Sequence, residues 1–577
     1  MLKNFLKVSL VIGAALASLS SQANAQTVKL NIIGSSAYWL EAGLGANFSG
    51  TGSLIKATCV WSENTNTVAA TDTSVTPTAT DKGSAWVAWT TGTGGTCAAP
   101  STSSLVYAYL NTDSVVGNRC LFNSTTCTIA FPTGNPAPAN QILTGGVANC
   151  GTTGECALPT TVTTALNNFK KANVAASDIR PEDAEFAIAR ALKPCGTAVV
   201  SGSQYLGLGY TSGGTLGVIN SAIPSSTKTF NVVNFSLPTG TNPYNVTLVG
   251  ATALVVAIHG DGTSTGFAAS GNLTNSELAK LLDGTTQTTP LGGAANVLVR
   301  EPLSGTYNTM EYNIPNATGN TLGLTPASAN KTSQDVGQTQ AVAQRNCSAS
   351  GTGTSAVTTL KFVNATTGAT RLRAIGTGEE LAEVGSFANT LGGTNNLGYG
   401  FWSLANYASL GAVAHTGYYT IDSVDPLTSS ATGCSYTGAL PVSGAALKCV
   451  DMHNVANGTY PIWSLLRMVN TDTTVSGTIQ SLATSTQKFV SFNTTTARPD
   501  FIVPSQLQVV RSHFIPPIGT GEPTVAANGD WQLGDGTSAC TANELGGDVG
   551  GIVLKLTADS TFCVNNKTTD GQTGERR

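Results

Sequence analysis

Runs of strand length and apolar positions at helical spacing alternate through the middle of the chain. Leu105–Leu110 and Leu254–Ile258 are short, mostly apolar runs, and such runs predict buried strands. Between them, Leu166, Phe169 and Ala172 recur at the spacing of one helix face. Because strands that alternate with helices are typical of the α/β class, the pattern predicts an α/β fold to which β-rich insertions have been added.

Helix starts are predicted at several positions. Pro181 is followed by two acidic residues, which is favourable in a first helical turn. Thr274 and Glu277 have the spacing of a capping box, in which each side chain accepts from the backbone N–H of the other residue. Residues 376–384 also have a helical pattern, whereas residues 489–514 are interpreted as strand-rich.

An apolar run that ends in an arginine carries the most specific chemical pattern. Residues 297–299 predict a strand, Arg300 ends it, and Ser304, Gly305 and Thr306 follow after a short turn. A helix that begins at this triplet presents hydroxyl groups and free backbone N–H groups to an anion. The guanidinium adds a permanently charged, two-pronged donor. The triplet occurs elsewhere in this chain, but only this copy follows an arginine at a strand end, so we predict a site for a tetrahedral oxyanion.

The first 25 residues are typical of a secretory signal peptide. They combine two early lysines, an apolar core at residues 8–19 and a small-x-small cleavage site at Ala23–Ala25. We therefore expect a mature chain that begins at Gln26 and is periplasmic or extracellular. Only 10% of the residues are charged and the net charge is −4. Neither value indicates a nucleic-acid partner or a basic membrane patch. The low fraction of charged residues fits either a secreted protein with a polar, uncharged surface or a compositional bias of β-rich insertions and loops.

Twelve cysteines in an exported chain indicate disulfide bonds. Proximity suggests five pairs and leaves two cysteines over: Cys59–Cys97, Cys120–Cys127, Cys150–Cys156, Cys434–Cys449, Cys540–Cys563, with Cys195 and Cys347 paired only by elimination. Sequence cannot fix the connectivity. The alternative is metal binding, but there is no CxxC motif and the four histidines are scattered. We expect structural disulfides, no metal and no cofactor.

The order of these motifs resembles that of the phosphate-binding proteins that serve phosphate ABC transporters, a branch of the two-lobed periplasmic binding-protein superfamily. Arg300 with the triplet at residues 304–306 is similar to that family's arginine and Ser-Gly-Thr loop. Ser177-Asp178 is similar to its Ser-Asp pair ahead of a helix. Three further segments are similar to later family motifs: Asn272 to Gly284, Gly398-Tyr399 and Tyr460-Pro461. The resemblance covers about residues 28–45, 105–119 and 162–515, with gaps.

Two family elements match this chain less well. The Gly-rich segment that ends in Ser or Thr and an aromatic residue corresponds to residues 34–37, and the aromatic arrives only at Tyr38. The family's Gly-Ser-x-x-Gly loop corresponds to residues 113–117, where Asp113 stands in place of the first glycine. An aspartate beside an anion is unfavourable unless its carboxylate points away.

The resemblance implies an α/β, two-lobed type II periplasmic-binding-protein fold with disulfide-stapled β insertions. Lobe one would comprise residues 26–255 and 397–515, with β insertions at about 46–104 and 120–159. Lobe two would comprise residues 256–396, and residues 516–577 would form a Gly-rich C-terminal extension.

The resemblance also implies that inorganic phosphate lies between the lobes, with an ABC permease as the partner in transport and no enzymatic reaction. The implied ligand-binding residues are Ser36, Ala37, Ser114, Asp178, Arg300, Ser304, Gly305 and Thr306. Hydroxyl groups, the guanidinium and the backbone N–H groups of Ala37 and Gly305 would donate, and Asp178 would accept the proton of phosphate. Sulfate has no such proton, and leaving the carboxylate unpaired costs about 1–3 kcal/mol. Taken singly, Asp178 is also a candidate helix N-cap and Arg300 a surface partner of Glu301.

Two other functions stay open at this stage. Residues 262–266 fit the G-x-S-x-G nucleophile elbow of hydrolases, with Ser264 as the nucleophile. A true elbow leads directly into a helix, whereas here several residues intervene, and no Asp and His partners can be assigned. The second alternative is a structural or adhesive protein on a binding-protein core, which self-assembles outside the cell through its stapled insertions. That role does not exclude phosphate binding.

Overall fold

The computed structural model describes residues 26–133, 143, 155–192, 212–216, 228–238, 243–260, 271–282, 288–290, 292–311, 313–314, 343–344, 361–363, 370–386, 395–428, 433–492, 500–511 and 553–555. The predicted signal peptide, the elbow at residues 262–266 and nearly all of the C-terminal extension lie outside the described residues. So do Cys150, Cys195, Cys347, Cys540 and Cys563.

The strands are β1 Thr27–Gly34, β2 Cys59–Asp72, β3 Ala79–Trp89, β4 Leu105–Asn111, β5 Cys127–Ala130, β6 Val174–Ser177, β7 Gly214–Leu216, β8 Phe230–Val232, β9 Asn245–His259, β10 Asn272–Leu273, β11 Ala295–Arg300, β12 Ala343–Gln344, β13 Lys361–Val363, β14 Thr370–Ala374, β15 Asn395–Phe401, β16 Thr416–Tyr418, β17 Thr420–Ile421, β18 Trp463–Asn470, β19 Val509–Arg511 and β20 Val553–Lys555. The helices are α1 Trp39–Asn47, α2 Ser114–Phe122, α3 Thr160–Phe169, α4 Pro181–Leu192, α5 Asn275–Leu282, α6 Gly305–Glu311, α7 Thr377–Val384, α8 Leu404–Gly411, α9 Gly444–Leu447, α10 His453–Ala456 and α11 Ser476–Phe492.

One long sheet contains two halves with the same strand order. The first half runs β4-β1-β6-β18-β9, with β1 parallel to β4 and β6 and with β18 antiparallel to both of its neighbours. The second half runs β14-β11-β15-β9-β16, with β11 parallel to β14 and β15 and with β9 antiparallel to both of its neighbours. Each half thus places its first strand between two parallel neighbours and contains one reversed strand. This repeated order confirms the α/β, type II periplasmic-binding-protein fold.

Strand β9 belongs to both half-sheets. Residues 245–253 pair with β18, and residues 254–259 pair with β15. From Val249 onward the strand is almost wholly buried, because sheet and helices cover it on both faces. The predicted boundary between the lobes, after residue 255, falls inside this strand. The division into lobes at that residue stays a prediction.

A hairpin of β2 and β3 extends the first half-sheet beyond β4, and β5 pairs with the far end of β2. This hairpin is the stapled β structure expected between residues 46 and 104. Disulfides join Cys59 to Cys97 and Cys120 to Cys127, with Cα–Cα distances of 5.5 and 5.2 Å. A third disulfide joins Cys434 to Cys449. These three of the predicted pairs are confirmed.

Several predicted elements are confirmed, one is wrong, and one is shorter than predicted, because α3 ends at Phe169 and Ala172 lies beyond it. Thr274 and Glu277 form the expected capping box: the hydroxyl of Thr274 accepts from the N–H of Glu277, whose carboxylate accepts from Thr274. Residues 489–492 are not a strand but the last turn of α11, where Phe489 and Val490 continue the buried face of that helix. Among the described residues, no helix combines the length and the apolar character that crossing a lipid bilayer requires.

Candidate functional site

The carboxyl ends of the parallel strands bring the predicted site residues to one region. In the first half-sheet, Gly34 at the end of β1 is in register with Asn111 at the end of β4 and with Ala176 in β6. In the second half-sheet, Arg300 at the end of β11 is in register with Ala374 at the end of β14. Loops at the carboxyl ends of parallel strands form the binding sites of α/β proteins.

The first lobe supplies a carboxylate and a hydroxyl group that hold each other. The hydroxyl of Ser114 donates to Oδ1 of Asp178, and the backbone N–H of Asp178 donates back to Ser114 Oγ at 3.2 Å. Ser464 on β18 donates its hydroxyl to the backbone carbonyl of Asp178. Because Asp178 is held by Ser114 of α2, its position is fixed from outside helix α4. Asp178 is therefore paired with Ser114 and does not serve as the N-cap of α4, which was the alternative interpretation.

The second lobe supplies the guanidinium of Arg300, which is fully buried. Its Nε and Nη2 donate to the two carboxylate oxygens of Glu301 at 3.0 and 2.8 Å. Its Nη1 donates to the hydroxyls of Thr377 at 2.6 Å and Thr306 at 3.4 Å. The pairing with Glu301 is thus present, as the alternative interpretation held, but it lies in the interior and not on the surface.

The two lobes meet at these groups. Oδ1 of Asp113, on the first lobe, lies 3.3 Å from Nη2 of Arg300. The backbone N–H of Val115 donates to the carbonyl of Leu303 at 3.3 Å. Gly305 packs so closely against the first lobe that a β-carbon on it would overlap Asp178 Oδ1. The cluster therefore lies where the loops of the two half-sheets are in contact.

The remaining predicted residues are Ser304, Ser36 and Ala37. Ser304, at the start of α6, accepts from the backbone N–H of Tyr307 at 3.3 Å through its hydroxyl. Ser36 is half-buried in the turn after β1. The N–H of Ala37 donates to Ser35 Oγ at 3.1 Å, a local turn that occupies the donor expected to face the ligand. The structure thus joins Ser114, Asp178, Arg300, Gly305 and Thr306, and it places no contact between them and Ser36.

Three residues of the cluster were not foreseen from the sequence. Thr377 comes shortly after β14, just as Ser304 comes shortly after β11. A polar residue soon after a strand is the sequence feature that could have indicated Thr377. Glu380 lies one turn further along α7, with Oε2 3.8 Å from Nε of Arg300. Lys228 precedes β8 and interacts with Asp113 and Glu301 through its charge. No sequence pattern connects Lys228 to the cluster.

Burial dominates the electrostatics of the carboxyl groups. It raises the pKa of Asp113 well above its usual value, with a further contribution from the carboxylate of Glu301. Burial likewise raises the pKa values of Glu380 and Asp178. Burial also opposes the ionisation of Glu301, but the charge of Arg300 outweighs it and holds that pKa below the usual value. The pKa values of Asp113, Asp178 and Glu380 are therefore raised, and that of Glu301 is lowered.

Comparison with known proteins gives distant likenesses only. No family model matches the chain, and no curated protein matches it significantly. Among solved structures, the chain is similar to a phosphate-binding protein from Stenotrophomonas maltophilia (14% identity, 57% of this chain and 71% of that chain, TM-score 0.26). It is also similar to an ABC-type phosphate transport receptor from Vibrio cholerae (11%, 44% and 72%, TM-score 0.24). A third is a human phosphate-binding apolipoprotein (14%, 59% and 79%, TM-score 0.27).

At these TM-scores the likenesses carry no argument about this molecule. The strand order that the two half-sheets share is what identifies the fold as that of type II periplasmic binding proteins.

Proposed function

We propose that the chain is an exported binding protein that holds inorganic phosphate between its two lobes. One observation carries the proposal. The guanidinium of Arg300, the hydroxyls of Thr306 and Ser114 and the carboxylate of Asp178 converge, buried, where the loops of the two half-sheets meet. These groups include donors for the bare oxygens of a tetrahedral anion and an acceptor for its proton.

The acceptor supports phosphate over other oxyanions. Phosphate near neutral pH keeps at least one proton, which it can donate to Asp178. Sulfate has none, so its oxygens would face a buried carboxylate without a hydrogen bond. The penalty of about 1–3 kcal/mol corresponds to a roughly ten- to hundredfold preference for phosphate.

The contact between the lobes supports a mechanism of opening and closure. Because Val115 bonds to Leu303 and Gly305 lies against Asp178, a ligand reaches the cluster only when the lobes separate. Closure would then remove the ligand from water. In uptake, the closed protein would deliver phosphate to an ABC permease, and the protein itself would catalyse no reaction.

The test is calorimetric titration of phosphate into mature protein that has been unfolded with its disulfides intact, dialysed and refolded. This treatment removes any phosphate that co-purifies. We expect saturable binding of phosphate and at least tenfold weaker binding of sulfate. Absence of binding by protein that is shown to be folded would overturn the proposal.

A hydroxyl group of the cluster offers a milder test. Thr306→Val removes the hydroxyl that faces Arg300 while keeping the side-chain shape. Because a hydrogen bond to a charged group contributes about 1.5–3 kcal/mol, we expect phosphate affinity to fall about tenfold or more. Thr252→Val is the matched control, since Thr252 is equally buried but bonds to the carbonyl of Asp500, away from the cluster. Equal affinities for the two variants would contradict the proposed role of Thr306.

The alternative of an extracellular assembly protein finds less support in the described part of the chain. Assembly through the insertions needs an exposed apolar surface or an open strand edge. Leu54 is the exposed large apolar side chain among the described residues. On the outer edge of β2, the N–H of Ser62 donates to Glu155 at 2.9 Å and the N–H of Thr65 donates to Glu63 at 2.7 Å. These side chains close the edge that another strand would need.

A further inference from the structure

Asp113 occupies the N-cap position of α2 but does not cap that helix. Its backbone is extended, and its side chain turns to the other lobe, where Oδ1 lies 3.3 Å from Nη2 of Arg300, the nitrogen that also lies 2.8 Å from Oε1 of Glu301. Its second oxygen, Oδ2, is buried and receives no N–H or O–H hydrogen bond from the described residues. Two carboxylates that contact one nitrogen lie close enough to repel each other, and they can hydrogen-bond to each other only when one of them carries a proton.

The groups around this pair do not supply enough positive charge for both carboxylates. Arg300 divides its donors between Glu301, Thr377, Thr306 and Asp113. Helix α7 adds the acidic residues Glu379 and Glu380, and Asp178 lies on the side of the first lobe. Lys228 is a further cation, whose pKa burial lowers. Arg373 donates to the backbone carbonyl of Arg300 at 3.4 Å, and the charge of Arg467 lowers the pKa of Asp178. Like charges in a buried site repel strongly, so a proton between Asp113 and Glu301 reduces the repulsion between their carboxylates in the closed protein.

We propose that Asp113 and Glu301 share one proton across the closed cleft, so that closing the lobes over phosphate takes up a proton and phosphate affinity falls as pH rises. The effect on affinity rests on the proposed function, because it concerns the same site. When the lobes separate, water solvates Asp113 and the proton is released.

Whether stability rises or falls with pH follows from the direction of the pKa shift of Asp113. Burial and Glu301 raise the pKa of Asp113 in the closed protein above its value in the unfolded chain. The stabilisation is therefore complete below the ordinary carboxyl pKa and is lost as the pH rises through the raised pKa. One linked proton changes an affinity by up to about tenfold per pH unit within that window.

The experiment compares the protein with Asp113→Asn, whose amide can donate to Glu301 without any proton uptake. Phosphate affinity is measured by calorimetry between about pH 5.5 and 8.5, and the melting temperature is measured over the same range without ligand. The ionisation of phosphate is common to both proteins and cancels in the ratio of their affinities. We expect the phosphate affinity of the unmodified protein to fall relative to that of the variant as the pH rises, by up to about tenfold per pH unit. Its melting temperature should fall relative to that of the variant over the same range.

Two further variants support the comparison. Asp113→Gly removes the carboxyl group and keeps a residue that is tolerated at an N-cap, so it replaces Asp113→Asn if the amide prevents folding. Asp425→Asn is the matched control, because Asp425 is a buried carboxylate that accepts from Tyr418 and Thr428, outside the cleft. It should leave the pH dependence of phosphate affinity unchanged.

The outcomes separate this inference from the proposed function. If phosphate binds with the same pH dependence in both proteins and their melting curves stay parallel with pH, the shared proton is overturned while phosphate binding stands. If neither protein binds phosphate but their melting temperatures diverge with pH, the shared proton stands and its effect on phosphate affinity is overturned with the proposed function.

Discussion

Arg300→Ala should abolish measurable phosphate binding and destabilise the folded protein by about 3–5 kcal/mol. The guanidinium is the permanent cation of the cluster and faces Glu301, Asp113 and Glu380. Its removal leaves buried carboxylates without their counter-charge, which is the costly way to break a buried ion pair. Titration calorimetry measures the affinity, and urea unfolding measures the stability.

Arg119→Ala is the matched control for this variant. Arg119 is also a buried arginine and is paired with Asp81 and Asp72, but it lies beside the hairpin and not in the cleft. We expect a comparable loss of stability with phosphate affinity kept within about twofold, because Arg119 shares no partner with the cluster and sites without shared partners are usually independent. Arg300→Lys adds a charge-preserving variant in case the alanine variant does not fold. Phosphate binding that survives both substitutions at Arg300 would remove this residue from the site.

Gly305→Ala should prevent the lobes from closing and weaken phosphate binding by about five- to 150-fold. A β-carbon at this position would overlap Asp178 Oδ1 and would lie 2.6 Å from Ser114 Oγ. Neither group can move freely, because each holds the other and Ser464 holds the backbone of Asp178. Overpacking of a fixed interior costs about 1–3 kcal/mol, and here that cost falls on the closed state. Calorimetry gives the affinity, and small-angle scattering with phosphate reports closure.

The chain contains its own control for this substitution. Ser476, Gly477 and Thr478 repeat the Ser-Gly-Thr triplet at the start of α11. A β-carbon on Gly477 meets no atom within 4 Å, so Gly477→Ala should leave affinity unchanged and stabilise the helix slightly. If Gly305→Ala binds phosphate as tightly as Gly477→Ala, the close contact between Gly305 and Asp178 has no part in binding.

Local patterns predicted the elements whose causes are local. The capping box at Thr274 and the helix at Pro181 follow from the residues within one turn, and both are present. The strand that ends in Arg300 and the helix that begins at Gly305 were predicted for the same reason. Strand β9 was foreseen only over residues 254–258, because polar residues and a glycine interrupt the apolar pattern of its earlier part, which becomes a strand through pairing with β18.

The composition of the site depended on contacts between distant parts of the chain. Thr377 and Glu380 reach Arg300 because β14 pairs in register with β11, across a long intervening segment. The direction of the Asp113 side chain is set by the meeting of the two lobes, so its position in the loop could not reveal it. The backbone N–H of Ala37 was predicted to donate to the ligand, but it donates to the hydroxyl of Ser35, two residues earlier.

Strand β9 also has a consequence for how the protein unfolds. Its 15 residues provide backbone partners to β18 on one side of the midpoint and to β15 on the other. Since neither half-sheet keeps its complete hydrogen bonding once β9 is lost, the lobes should melt together in one cooperative transition. The amide hydrogens of residues 252–258 should then be among the last to exchange with heavy water, at a rate governed by global unfolding. A fragment that contains either lobe without β9 would lack a strand that its half-sheet pairs with and should not fold on its own.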